Sequence, residues 1–253
     1  MKQRSVEIRN TGKGNVISRP SHVCYALTID LAEDRHFLDS LHQEARALAE
    51  RVSAEQANTA QIRSPDILYL DCLSGCLAEQ ASVIWLNTAL KEGVASRPPA
   101  DSARNQIDLL LGASSKTIEV RSSFVRNGLE FALFQKERDS GRQYIDILGP
   151  YQNPSYKASE RYKDYYLRVL FPGVKQKCAS LLATEGYTFY ITGGATKEMM
   201  QSDDFSYIKD LSPREGEVLA AGNYRVIPLG QSLDSDQFLA AVKTENRLWE
   251  NGL

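Results

Sequence analysis

The sequence predicts an α/β protein, a mixed β-sheet flanked by helices. Two long stretches, residues 31–57 and 67–92, repeat apolar residues at spacings of three and four, as helices with one buried face do. Several short runs rich in Val, Ile, Tyr and Phe are bounded by Gly, Pro, Asn and Asp, as strands are. From residue 67 onward these units follow the order helix, three or four strands with hairpin turns, helix, strand.

The elements follow in chain order. Residues 6–8 and 22–29 form two strands joined by a polar, Gly-containing segment at 10–15. Phe37, Leu38, Leu41, Ala45, Leu48 and Val52 line one stripe of a first helix, for which Asp30 is a candidate N-cap. These residues, 1–60, are read as an N-terminal accessory segment, and 61–253 as the core. Ser64-Pro-Asp66 opens a second helix, which Gly93 stops. A hairpin spans residues 106–123. Strands are predicted at 129–134 and 144–148 around the turn Asp139-Ser-Gly141. A Tyr-, Lys- and Arg-rich helix is predicted over 154–170 and another over 174–184. A strand at 187–192 ends at Gly193-Gly194. A last strand at 224–229 precedes a closing helix at 235–249.

At 253 residues the chain has room for one large α/β domain, or one domain with an appendage. A formal net charge of −2 excludes a global basic field, so nucleic-acid binding would need a local basic patch. Cys24, Cys72, Cys76 and Cys178 sit in apolar surroundings and read as free thiols of a reducing cytoplasm. Cys72 and Cys76 suit one helix face, but no second pair completes a zinc site. The three histidines all precede residue 43, which argues against a histidine-dependent triad. The first ten residues lack an apolar signal core, and no stretch is expected to span a membrane. A cytoplasmic protein without membrane association is expected.

The most chemically informative stretch is QIDLLLGASSKTIEVRSS, residues 106–123. Asp108 stands in one short apolar run and Glu119 in the next, with a turn at 112–116 between them. Alternation along a strand puts Glu119 and Arg121 on one face. Two carboxylates converging beside a cation could hold a divalent ion next to a phosphate. The competing structural account is a salt bridge from Arg121 to Asp108 or Glu119.

The pattern I-D-x-L-L followed by I-E-V-R-S-S resembles the signature of the PD-(D/E)XK nuclease superfamily over roughly residues 70–195. Asp108 matches the family's Asp and Glu119 its Glu, while Arg121 stands where Lys is usual. The resemblance implies a restriction-endonuclease-like fold and a nuclease that binds Mg²⁺ (or Mn²⁺) and hydrolyses phosphodiester bonds. It further implies metal ligation by Asp108, Glu119 and the Val120 carbonyl, assisted by Glu79 of the preceding helix, with DNA as the substrate. A homodimer is expected, because cutting both strands of a near-symmetric duplex calls for two sites. The alternative is a catalytically inactive nuclease-like fold acting as a nucleic-acid-binding or assembly module, which the Arg departure and the acidic charge favour.

Each candidate also has a bland reading. Glu79 lies within an apolar stripe of Cys72, Cys76, Val83, Leu86 and Leu90, where a carboxylate either needs a partner or sits at the stripe's edge and reaches water. Arg121 could stabilise transition-state charge, but a guanidinium stays protonated and cannot be a general base. Lys116 could replace the missing Lys, although its strand parity relative to Glu119 is wrong. The tyrosines and cations of residues 156–168 could stack on bases and contact phosphates, or form a solvated helix face. Gly193-Gly-Ala-Thr-Lys197 follows a strand but lacks phosphate-loop spacing.

Overall fold

The computed structural model describes residues 1–11, 19–52, 62–90, 93–98, 107–112, 115–126, 128–134, 146–152, 160–211 and 222–250. Its centre is a seven-stranded mixed sheet. The strands are β1 (Lys2–Arg9), β2 (Ser21–Asp30), β3 (Ala95–Ser96), β4 (Leu109–Leu111), β5 (Lys116–Val125), β7 (Tyr165–Pro172) and β8 (Gly186–Thr196), in the order β1-β2-β8-β7-β5-β4-β3. Among the described strands of this sheet, β5 and β7 run parallel and every other neighbouring pair is antiparallel. A second sheet of β6 (Ile147–Tyr151), β9 (Tyr207–Leu211) and β10 (Gly222–Ile227) has the order β6-β10-β9.

The two faces of the large sheet bury different layers. Tyr165, Leu167, Val169 and Phe171 of β7 and Ile118 and Val120 of β5 pack against the helices α1 (Arg35–Arg51), α2 (Pro65–Ala89), α4 (Lys175–Thr184) and α6 (Ser235–Glu250). Tyr166 and Leu170 of β7 and Val125 of β5 face the other way. They pack against α3 (Leu129–Phe134), Met200 of α5 (Lys197–Gln201), and Ile147 and Ile227 of the small sheet. Strand alternation sorts these residues. It also sends Glu119 and Arg121, which alternate with Ile118 and Val120, to the small-sheet side.

The first helix caps at Asp34, not at Asp30. Asp30 Oδ1 instead accepts from the backbone N–H of Ala32 and Glu33, at 2.9 and 3.0 Å, and holds the turn that leads into α1. Residues on both sides of position 60 share one core: Leu27, Ile29, Leu38 and Leu41 cluster with Leu77, Ala81 and Trp85. α2 starts as expected, with the Ser64 side chain accepting from Ile67 N–H and Pro65 in the first turn. It is also long and apolar enough to cross a membrane by length and composition, contrary to the sequence expectation. Half of that span is buried against the sheet and α1, so its apolarity serves the core.

Four further expectations are corrected. Leu129–Phe134 is a short helix, with Ala132, Leu133 and Phe134 all buried. Residues 165–172 are a strand where the sequence pattern predicts a helix. Seven of its eight residues are buried because both faces are covered, which removes the alternation that would mark it. The strand near residue 147 begins at Ile147 and runs on to Tyr151; the turn Asp139-Ser-Gly141 lies outside the described residues. Gly193 and Gly194 do not end their strand, which continues to Thr196. A Cβ on Gly194 would sit 1.9 Å from the Tyr166 carbonyl oxygen, so glycine there lets β8 approach β7 at the bulge between Leu167 and Val169.

Candidate active site

The predicted hairpin is present. β4 pairs antiparallel with β5 through Leu109↔Ile118, Leu110↔Thr117 and Leu111↔Lys116, and Ser115 takes the positive φ of 54° in the turn. Asp108 lies one step beyond the last pair, opposite Glu119. There Asp108 Oδ2 accepts the Val120 N–H at 2.7 Å, satisfying a donor that β4 no longer reaches. Asp108, Glu119 and Arg121 therefore meet at the open end of the hairpin.

Glu79 of α2 is held by Arg97, and its charge is felt by Asp108 and feels that of Glu119. Burial pushes Asp108 up to about 6; Glu79 adds to this, and the Val120 N–H and Arg121 oppose it. Burial pushes Glu119 up to about 7, with Arg121 opposing and Asp108 and Glu160 reinforcing. Burial likewise raises Glu79, against the pull of Arg97. Three carboxyl groups thus hold protons unusually well, each chiefly for want of solvent and each in part because of a neighbouring carboxylate.

Cations already stand beside two of them. Arg121 Nη2 lies 2.6 Å from Glu119 Oε1 and 3.6 Å from Glu160 Oε2. Its side chain keeps 33% exposure, while that of Glu119 keeps 10%, so the guanidinium lies nearer the solvent. The buried Arg121 Nε–H has no hydrogen-bond partner among the described residues. Arg97, in the segment after β3, bonds Glu79 Oε2 through Nη2 at 2.8 Å and Nε at 2.9 Å and also pairs with Glu44 of α1. Glu44 accepts in addition from Gln80 Nε2 at 2.6 Å. Among the described residues, no three Asp, Glu, His or Cys side chains converge as one chelating group in this arrangement.

Sequence reasoning missed Arg97, Glu44 and Glu160, because none belongs to the motif and their ion pairs are set by how separate elements pack. Glu160 follows β6 and accepts the Tyr151 N–H at 3.0 Å. Lys163, only 8% exposed, adds a positive field that lowers both Asp108 and Glu119. Lys116 pairs with Asp164 at 3.4 Å. Tyr165 and Tyr166 are buried strand residues and Arg168 is fully buried, its Nη2 donating to Ser123 Oγ at 2.7 Å. They do not lie on a nucleic-acid-binding helix, and Tyr156 and Lys157 lie outside the described residues. The segment 193–197 is strand and helix start, with Thr196 capping α5. All four cysteines are buried free thiols, and burial pushes Cys76 up to about 12, which keeps it protonated.

The fold and site together define a mixed α/β protein with a buried acidic cluster at the end of a hairpin. No protein-family model and no solved structure matches the chain. It is similar to an uncharacterized protein of Methanocaldococcus jannaschii, 28% identical over 173 residues. The match covers 64% of this chain and 59% of that protein, less than two thirds of its length.

Proposed function

We propose that this chain is a metal-dependent nuclease with a restriction-endonuclease-like core, hydrolysing phosphodiester bonds, with DNA as the substrate. The observation that carries the reading is the raised pair Asp108 and Glu119, facing one another at the hairpin's end with Glu79 close enough to add to the repulsion. Buried carboxylates that repel one another are a donor set suited to a hard divalent cation such as Mg²⁺ or Mn²⁺. Asp108, Glu119 and the Val120 carbonyl would hold it, with Glu79 assisting once released by Arg97. When bound, such an ion acidifies a water and neutralises phosphate charge.

The protein's own groups supply the rest. Arg121 remains protonated and stabilises charge on the phosphate, and its unpartnered Nε–H is a donor suited to a phosphate oxygen. Glu160 and Glu119 orient that guanidinium. A homodimer would bring two such sites to the two strands of a duplex. Four buried free thiols accord with a cytoplasmic setting.

A second reading has its own support. Glu119 is paired with Arg121 and Glu79 with Arg97, so resident cations already occupy the acidic groups. A catalytically silent nuclease-like fold, acting as a binding or assembly module, would look the same. The two readings part in one experiment. Purified protein is incubated with plasmid and oligonucleotide DNA across a range of Mg²⁺ and Mn²⁺, alongside Asp108→Ala and Glu119→Ala. The nuclease reading expects cleavage by the wild type and its loss in both variants. Wild-type inactivity at every metal concentration, or undiminished cleavage by the double variant, defeats it.

A further inference from the structure

A cavity of about 660 Å³ is lined by α1, α2 and α4 and shares no residue with the hairpin site. Its walls follow from helix spacing. α1 turns His42, Arg46 and Glu50 toward it at intervals of four, with Asp39 one turn before His42. α2 supplies Tyr69 and Leu73, also four apart, and α4 supplies Ala179 and Ala183. The two alanines end at Cβ, so α4 leaves open a trough that larger side chains would close. The volume falls within the range of about 300–1,000 Å³ usual for small-molecule sites.

The polar wall is ordered by hydrogen bonding. Tyr69 Oη lies 2.6 Å from His42 Nδ1, and the two rings lie 23° from parallel with centroids 6.4 Å apart. Arg46 stands in the same wall and opposes the rise that burial causes in the Tyr69 phenol. A cation beside the phenol oxygen engages its lone pairs, so the hydroxyl proton goes to His42 Nδ1. Burial and then Arg46 lower the His42 imidazole against the pull of Asp39, which leaves it neutral at neutral pH with its one proton on Nε2. The cavity thus meets a guanidinium and an imidazole N–H, both donors, above a floor of Leu73 and the two alanines. Neither Arg46 nor His42 is bonded to a carboxylate among the described residues. Asp39 and Glu50 bound the donors at either end along α1. They limit the patch to one small anionic group and repel a polyanion such as a nucleic-acid backbone.

We propose that this cavity binds a small organic anion, a carboxylate or phosphate monoester whose apolar body rests on Leu73 and the alanines of α4. Arg46 and the His42 Nε2–H hold the anionic group, and Tyr69 positions the imidazole. The assignment uses none of the hairpin's residues and stands or falls apart from the nuclease reading.

The chain has three histidines, so imidazole NMR signals report on the site directly. His22, fully buried against the Thr192 carbonyl, and His36, exposed, are internal controls. Benzoate, phenyl phosphate, inorganic phosphate and benzyl alcohol are titrated into the full chain. Benzoate or phenyl phosphate should shift the His42 signals saturably and leave His22 and His36 in place, the tighter of the two identifying the head group. Inorganic phosphate lacks the apolar body and benzyl alcohol lacks the charge, so each should bind at least roughly tenfold more weakly. Arg46→Gln and Tyr69→Phe should each weaken binding roughly fivefold or more. Ala183→Leu, which fills the trough from an exposed helix position, should abolish binding and keep the melting temperature. The ¹⁵N shifts of free His42 should show the proton on Nε2. A proton on Nδ1, no saturable His42 shift, or equal shifts at His36 overturns the proposal. So does undiminished binding in Arg46→Gln or Ala183→Leu, or a Tyr69→Phe variant that melts lower yet binds as wild type. Displacement of bound benzoate by a DNA oligonucleotide overturns the assignment to a small anion.

Discussion

Replacing Glu119 by Gln tests the electrostatics of the site without any assumption about its reaction. The side chain is nearly isosteric with the protonated acid but cannot ionise. In the folded, metal-free protein Glu119 is raised to about 7 from an ordinary 4.5, chiefly by burial. A raised carboxyl contributes its full stability below the unfolded value and loses it as pH rises through the folded value. The wild type therefore loses about 3 kcal/mol between about pH 4.5 and pH 7, at about 1.4 kcal/mol for each pH unit in that window. Glu119→Gln escapes that loss. Removing the negative charge also relieves Asp108, which changes stability in the same direction. His22 and His42, both lowered by burial, impose an opposite trend, but they are present in both proteins and cancel in the difference. Urea unfolding in EDTA should show the variant gaining on the wild type as pH rises, reaching about 3 kcal/mol near pH 8.5, or roughly 6–12 °C in Tm. Added Mn²⁺ should narrow the gap by stabilising the wild type. A difference that stays flat from about pH 4.5 to pH 8.5, or that shrinks as pH rises, refutes the placement of a buried, repelled carboxylate at position 119.

Two further substitutions probe neighbouring parts of the structure. Arg121→Lys keeps the charge but cannot reach Glu119 and Glu160 with a planar fork, so stability should fall by about 1–3 kcal/mol in denaturant unfolding; an unchanged midpoint would show that the bridge is not structural. Gly194→Ala drives a methyl group against the Tyr166 carbonyl and the Phe238 ring, and should cost about 3 kcal/mol or more, because the nearest obstacle is backbone; circular dichroism melts that overlay the wild type would show that β8 and β7 are less closely apposed.

Much of the architecture was legible locally. The hairpin, α1, α2, α4 and α6 follow from apolar spacing and turn residues, which act over a few positions. Strand parity alone put Glu119 and Arg121 on one face. The failures have physical causes. Residues 165–172 carry tyrosines and an arginine within an apolar run, and burial on both faces erased the period that would have marked a strand. Residues 129–134 are too short for periodicity to separate helix from strand.

The sequence by itself determined the α/β class, the hairpin, and the pairing of Asp108 with Glu119 across it, because these depend on alternation and on one tight turn. Only the tertiary structure decided what surrounds that pair. Arg97 meets Glu79 and Glu44 across two helices, and Glu160, from the segment after β6, meets Arg121. Electrostatic interaction depends on distance through space and on exclusion of solvent, and neither quantity is written in the spacing of residues along the chain.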